Sequence, residues 1–205
     1  DIGAWVLREA TRVAAGWPED LRIAVNISPV QIKTRALVLD VLAAIGRSGL
    51  RPDRLELEIT EGMLLVDTEA TLATLAQFRD IGVRIAMDDF GTGYSSLGYL
   101  RRFAFDKVKI DQSFVRGLGE TADSVAIVRA VTSLCSSLGI TTTAEGVETE
   151  AQRDRLRLEG CDQFQGWLYG RPMPEAEVAA HLAAQTDTVG SSVFSIRHPR
   201  GRHGH

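Results

Sequence analysis

Cysteine is scarce in this 205-residue chain: Cys135 and Cys161 are the only two, they lack CxxC spacing, and each lies in an apolar segment. That excludes a disulfide framework and predicts two core thiols in a reducing compartment. Long apolar runs are absent as well, none approaching the roughly 18 residues a membrane span needs. The opening residues DIGAWVLREATR carry no basic leader with an apolar stretch and a small-residue cleavage site, so the chain reads as soluble and unexported. A cytoplasmic location is expected, with membrane attachment only through domains outside these residues. Basic charge is short: 23 Lys and Arg against 27 Asp and Glu give a net charge of -4 and a pI near 5.6. A polyanion would find no basic face, which excludes coating of a nucleic-acid polymer. Histidine is missing before His181, and the last three sit in RHPRGRHGH.

What is present is enough apolar residue, 44 % hydrophobic against 24 % charged, for one globular domain. Ile2, Trp5, Val6, Ala10 and Val13 recur at helical spacing and predict a helix over 2–15 with that stripe inward. Residues 21–27 alternate as a strand. Ser28-Pro29-Val30-Gln31 is a capping box with Pro at the first helical position, predicting a helix to about Arg47. The cycle repeats in strand 55–60 and a helix bearing Leu72, Leu75, Phe78 and Ile81, then strand 83–88 and a short helix near 95–102. Strand 105–110 follows, with a helix presenting Val128, Val131, Cys135 and Leu138 on one face. Strand 140–144 precedes a helix near 148–159, and a short strand near 162–165 leads to a last helix after Pro174. Residues 185–205 lose the periodicity and are expected to be a disordered tail, leaving 1–184 as the domain.

Strands alternating with helices predict a parallel sheet, open or closed. Parity separates the two. Arg22, Ala24 and Asn26 share one strand face, as do Glu56, Glu58 and Thr60; Arg84, Ala86 and Asp88; Lys107, Lys109 and Asp111; and Thr141, Thr143 and Glu145. On the first four of these strands the opposite faces are apolar: Leu21, Ile23 and Val25; Leu55, Leu57 and Ile59; Val83, Ile85 and Met87; Val108 and Ile110. A sheet covered by helices on both sides reads as continuous apolar runs, whereas one apolar and one polar face fit a closed (β/α) TIM-like barrel with a charged interior. Six of the eight strands such a barrel needs are visible, and it typically takes about 250 residues. The expectation is an α/β barrel incomplete at its N-terminus.

Active sites of such barrels lie at the C-terminal strand ends. Those ends carry Asn26, Glu58 with Glu61, Asp88 with Asp89, Lys109 with Asp111, Glu145 with Glu148, and Gln165. Crowded, desolvated carboxylates cost on the order of several kcal/mol per ion unless cations or hydrogen bonds compensate. Hard oxygen donors without His or Cys select Mg²⁺ or Mn²⁺ over zinc, and two such ions are able to share Asp88 as a bridge. Such a centre with a lysine beside it suits in-line hydrolysis of a phosphodiester, Lys109 orienting or polarising the water. Simpler roles also fit some of these residues. Asn26 ahead of Ser28-Pro29 fits turn chemistry, Glu61 and Glu148 fit helix-dipole complementation, and Asp111 ahead of Gln-Ser-Phe fits a helix cap. Glu58 and Asp88 fall on the inward parity, where a solvated surface role is closed to them.

DDFGTGYSSL (88–97), with ELEITE (56–61), VKID (108–111), AEGVET (144–149) and QGWLYGRPMP (165–174), resembles the EAL domain family of bacterial cyclic di-GMP phosphodiesterases. The resemblance covers the chain to about Ala184 and implies a (β/α) barrel that hydrolyses cyclic di-GMP to 5′-pGpG with Mg²⁺ or Mn²⁺, two ions in the complete site. It implies that Asn26, Glu58 and Asp88 are metal ligands and that Asp89 serves the second ion. Lys109 would hold the catalytic water, Glu145 would assist as base or through the second metal, and Gln165 would sit beside it. Asp111 and Glu148 are supporting candidates. Glu61 would brace the DDFGTG loop, a region the family also uses to dimerise, so cyclic di-GMP and a second copy of the chain are the expected partners. The namesake Glu-Ala-Leu segment is not in the sequence and is expected to precede Asp1, in keeping with six strands in place of eight. RRFAFDK stands where the family often has Leu-Pro ahead of VKID, a difference of packing. The rival reading is a degenerate module that binds cyclic di-GMP or a protein partner without turnover.

Overall fold

A computed structural model describes residues 2–34, 36–64, 68–91, 97–103, 105–118, 122–185 and 194–196. Helix α1 (Ile2–Ala15) leads into strand β1 (Ile23–Asn26), helices α2 (Pro29–Ile32) and α3 (Ala36–Ser48), and strand β2 (Leu55–Thr60). Helices α4 (Glu61–Leu64) and α5 (Thr68–Ile81) precede β3 (Arg84–Phe90), and α6 (Leu97–Arg102) precedes β4 (Lys107–Ile110). Then come α7 (Gln112–Arg116), α8 (Ala122–Leu138), β5 (Thr141–Glu145), α9 (Glu150–Leu158), β6 (Gln163–Gln165), α10 (Glu175–Gln185) and β7 (Phe194–Ile196).

Every strand pairing is parallel, and the order across the sheet is β6-β5-β4-β3-β2-β1-β7. From β1 to β6 each strand lies beside the next in sequence. A doubly wound sheet would reverse its order at a switch point; this one does not, and it curls as an incomplete (β/α) barrel. Parity behaves as expected. Ile23, Val25, Leu55, Leu57, Ile59, Ile85, Met87, Val108 and Ile110 are buried in the apolar layer with Leu7, Leu37, Val41, Leu75, Phe78 and Val128 of the helices. Ala24, Glu56, Glu58, Ala86, Asp88, Lys107, Lys109, Thr143 and Glu145 fill the opposite face and are buried too.

Local chemistry differs from expectation in four places. The helix expected over 28–47 is two: Ser28 and Gln31 form the capping box, but Thr34 folds back, its N–H and hydroxyl both donating to the Gln31 carbonyl, and α2 ends. In α1 the inward face is Ala4, Leu7, Ala10, Thr11 and Ala14, while Ile2 and Trp5 are exposed. Small residues on that face suit close approach to α3, where the Thr11 hydroxyl contacts the Ala44 carbonyl. Leu138, expected on the inner stripe, sits exposed at the last residue of α8. Part of the expected tail is strand: Phe194–Ile196 runs along β1, with Ile23 opposite Phe194 and Val25 opposite Ile196. An edge strand offers unpaired N–H and C=O groups, and Phe-Ser-Ile alternates with the period of a strand. Residues 186–193 and 197–205 lie outside the described residues.

Two side-chain devices hold the lower end of the sheet. Asp106 and Asp162, each just ahead of a strand, reach back to the preceding one. Asp106 accepts from the Ile85 N–H at 2.8 Å, and Asp162 accepts from both the N–H and the hydroxyl of Thr142 at 2.7 Å. The buried Arg54 guanidinium donates to the main-chain carbonyls of Leu21, Ala14, Pro18 and Trp17 at 2.7, 2.8, 3.0 and 3.4 Å. It ties the turn between α1 and β1 to the start of β2. No helix among the described residues is long and apolar enough to cross a membrane.

Arg54→Ala strips one donor group from four carbonyls and is expected to cost about 3 kcal/mol. The readout is a lower urea midpoint with an unchanged m-value; an unmoved midpoint would show that water replaces the guanidinium at no cost. Both cysteines are buried and free, and burial pushes the Cys135 thiol up to about 12 and the Cys161 thiol up to about 11. A folded-state pKa above the unfolded value adds stability that is fully present below the ordinary thiol range and is lost as pH rises through the raised values. Native protein at pH 8 is therefore expected to resist maleimide at both positions and to react only in denaturant, as mass spectrometry would show.

Candidate active site

Four adjacent strands deliver one charged group each to the same point. Lys109 of β4 places its ammonium 2.7 Å from Glu58 Oε1 of β2, 2.7 Å from Glu145 Oε1 of β5 and 3.1 Å from Asp88 Oδ1 of β3. All four side chains are at least 94 % buried, so water does little to screen them. Burial works against the Lys109 charge, but Glu58, Glu145 and Asp88 outweigh it and hold the ammonium well above the ordinary lysine pKa. Burial also pushes the Glu58 carboxyl above the usual carboxylate range, against the pull of Lys109. Among the described residues, three carboxyl groups thus converge on one ammonium.

One layer below, two residues earlier on β2 and β4, a balanced pair stands. Lys107 Nζ pairs with Glu56 Oε1 at 2.8 Å, both side chains buried. Glu56 and Glu58, like Lys107 and Lys109, are two residues apart on one strand and so lie on the same face, stacked as two layers. Both residues stood on the inward parity, but nothing in the sequence singled them out as part of the site.

The paired aspartates depend on a bulge. On β3 and β4, Met87 faces Val108 and Phe90 faces Ile110, so three steps on one strand match two on the other. Asp89 takes up the extra residue with a φ of 55°, the only positive φ outside glycine among the described residues, and its N–H donates to Asp88 Oδ1. Neighbours in a regular strand point to opposite faces. Here Asp88, Asp89 and Glu145 each offer a carboxylate oxygen, and the three lie within 4.8 Å of one another. Glycine then turns the chain away at two other strand ends. Gly146 follows Glu145 with a φ of 71°, and a Cβ on Gly166, after Gln165, would overlap the Val147 backbone.

The remaining candidates fall into two groups. Asn26 ends β1 in register with Glu58, with its side chain exposed, and Gln165 ends β6 in register with Glu145, its Oε1 buried without a hydrogen-bond partner among the described residues. Both flank the cluster. Glu61 is buried at the first turn of α4; the Thr92–Ser96 part of the loop it was expected to brace lies outside the described residues. Asp111 is the N-cap of α7, accepting from the Ser113 N–H at 2.9 Å, and Glu148 is exposed just ahead of α9, whose capping box is formed by Thr149 and Gln152. The simpler roles considered for these two match where they sit. A polar cleft lined by Asp53, Arg79, Arg84 and Asp106 lies at the opposite end of the strands.

The donor set passes a chemical test for a divalent cation: three converging carboxylate oxygens, an excess of negative charge, and neither imidazole nor thiolate in the cluster, which suits Mg²⁺, Mn²⁺ or Ca²⁺ more than zinc. The fold and the site together define the class, parallel (β/α) barrels with an acidic, lysine-centred mouth. Within it, residues 1–172 match the EAL domain family, and the chain belongs to that family. It is 45 % identical over 186 residues to the bifunctional diguanylate cyclase/cyclic di-GMP phosphodiesterase MucR of Pseudomonas aeruginosa, covering 89 % of this chain and 27 % of MucR. The solved MucR phosphodiesterase in complex with c-di-GMP superposes with a TM-score of 0.83 at 45 % identity, over 86 % of this chain and 73 % of that one. The EAL domain of Mycobacterium smegmatis DcpA gives a TM-score of 0.84 at 39 % identity, over 89 % and 84 %. BlrP1 of Klebsiella pneumoniae, solved with manganese and cyclic di-GMP, gives 0.76 at 34 % identity, over 84 % and 45 %. The chain spans about a quarter of the length of the curated relatives it matches.

Lys109→Met leaves Glu58, Asp88 and Glu145 buried without their ammonium, and breaking such a set is expected to cost about 3–5 kcal/mol. Added Mg²⁺ or Mn²⁺ should raise the melting temperature of this variant more than that of the parent chain. A variant that melts with the parent and ignores both cations would show that Lys109 is not what holds the three acids together.

Proposed function

We propose that this chain is a divalent-metal-dependent phosphodiesterase domain that linearises cyclic di-GMP to 5′-pGpG. The observation that carries the reading is the convergence of Asp88, Asp89 and Glu145 beside a buried lysine, in a family whose member BlrP1 was solved with both manganese and cyclic di-GMP. Asn26, Glu58 and Asp88 would hold one ion and Asp89 would serve a second, with Mg²⁺ or Mn²⁺ as the resident cation. When bound, such ions lower the pKa of water and offset charge on the scissile phosphate.

The chain's own residues then divide the work. Hydrolysis forms a bond from the water oxygen to phosphorus and breaks the P–O3′ bond, leaving a 5′-phosphate and a 3′-hydroxyl. The water's proton would go to a carboxylate, Glu145 in this reading, and the departing 3′-oxygen would take its proton from bulk water. Lys109, held above the ordinary lysine range, stays an ammonium throughout the working pH range. It therefore orients the water and the three acids and is no base. Gln165, in register with Glu145, bounds the site on the β6 side. A second copy of the chain is the proposed partner, which light scattering checks, and the cytoplasm is the proposed location, where two buried thiols stay reduced.

Incubation of the chain with cyclic di-GMP and Mg²⁺ or Mn²⁺, followed by chromatography, is expected to yield 5′-pGpG, and EDTA is expected to stop it. Asp88→Asn should lower the rate by about a hundredfold or more. Cyclic di-GMP that binds and is recovered intact would replace the enzyme with the non-catalytic sensor.

A further inference from the structure

The segment after Gln165 carries an aromatic feature that hydrolysis leaves without a role. Gly166 seats the turn on Val147: the Val147 N–H donates to the Gln165 carbonyl at 3.0 Å, and the Leu168 N–H donates to the Val147 carbonyl at 3.1 Å. Leu168 and Tyr169 pack against the core, while Trp167 between them and Gly166 is 55 % exposed. The Arg171 guanidinium lies over the Trp167 ring, 4.4 Å from its centroid. Two residues of chain reach at most about 7 Å, so this stack stands on the rim of the same strand end that presents Gln165 next to Glu145. Two residues earlier in the chain, the Gln165 Oε1 is a buried acceptor with no hydrogen-bond partner among the described residues.

An exposed indole backed by a cation, next to a free acceptor, is what a purine base requires. The base stacks on the open ring face, the guanidinium strengthens that stack, and a carboxamide oxygen accepts from N–H groups on the base edge. A leucine-like apolar contact would not call for the arginine, and a phosphate would not call for the indole. We propose that Trp167, backed by Arg171, is the stacking platform for one guanine of the cyclic dinucleotide whose phosphate lies at the carboxylates. This deepens the phosphodiesterase reading and rests on it for the identity of the ligand. A base remote from the reacting phosphorus is held equally in ground and transition states, so the platform acts on KM and leaves kcat alone.

The test titrates the full chain with cyclic di-GMP and follows indole fluorescence, alongside steady-state hydrolysis with Mn²⁺. Trp5 and Trp17 are the other two tryptophans and both lie in or next to α1. Parent protein should show quenching on binding. Trp167→Ala should lose most of the quenching and raise both Kd and KM about tenfold, with kcat unchanged and circular dichroism as in the parent. Trp167→Phe should lose the quenching yet keep Kd within about threefold, since a ring still stacks. Arg171→Ala should weaken binding by a smaller factor than Trp167→Ala. A Trp167→Ala variant with parental Kd and KM overturns the platform while leaving the enzyme intact. Parent protein that binds without turnover overturns the enzyme, and the Kd series alone then decides the platform. Parent protein that does not bind cyclic di-GMP overturns both.

Discussion

The ammonium of Lys109 is the pivot of this fold. Three carboxylates from three different strands lie within 3.1 Å of it, inside a barrel wall where water does not reach. Each acid alone would pay a desolvation cost of several kcal/mol, and together they repel. One cation offsets part of both effects, and it does so only if β2, β3, β4 and β5 stand side by side in the observed register. The polar interior thus constrains the order of strands, while the apolar outer layer supplies most of the stability. Curvature follows from the same requirement, because side chains from four strands meet at one point only if the sheet bends around it.

The aspartate pair shows how a local irregularity extends this arrangement. A regular β3 would send Asp89 into the apolar layer, where its charge has no partner. The bulge and the positive φ of Asp89 turn it back toward Asp88 and Glu145. Asp and Asn tolerate the left-handed region better than other residues with a Cβ, and the strain of holding one there is modest. What the irregularity gains is the convergence of Asp88, Asp89 and Glu145, whose carboxylate oxygens lie within 4.8 Å of one another.

Much of this was legible in the residues. Alternation with period two separated a charged face from an apolar one on strands 55–60, 83–88 and 105–110, and that single pattern carries the barrel and puts Glu58, Asp88 and Lys109 on its inner face, with Glu145 following from the parity of Thr141 and Thr143. The capping box at Ser28 and the strand at 55–60 sit where expected. What escaped depends on tertiary neighbours. Which face of α1 turns inward was decided by packing on α3, which favours Ala4, Ala10 and Ala14 over the larger Ile2 and Trp5. The break after Ile32 arises from a back-folded Thr34, a local hydrogen bond that competes with the helix and leaves no trace in periodicity. A bulge adds one residue to one strand and shows itself only against its partner. The Arg171 stack on Trp167 likewise joins residues whose spacing carries no signal in a loop.

The two interior layers together say where a cation belongs. In the lower layer one lysine meets one glutamate, Lys107 with Glu56, and the charges balance. In the upper layer one lysine meets three acids, and Asp89 adds a fourth beside them. Among the described residues, acidic groups therefore outnumber basic ones in the upper layer and match them in the lower. Burial is the main reason the Glu58 carboxyl sits above the usual carboxylate range, and the nearby Asp88 charge adds to it against the pull of Lys109. With three acids around Lys109 and one against Lys107, the acidic surplus lies at the C-terminal strand ends, where barrels of this kind carry their sites.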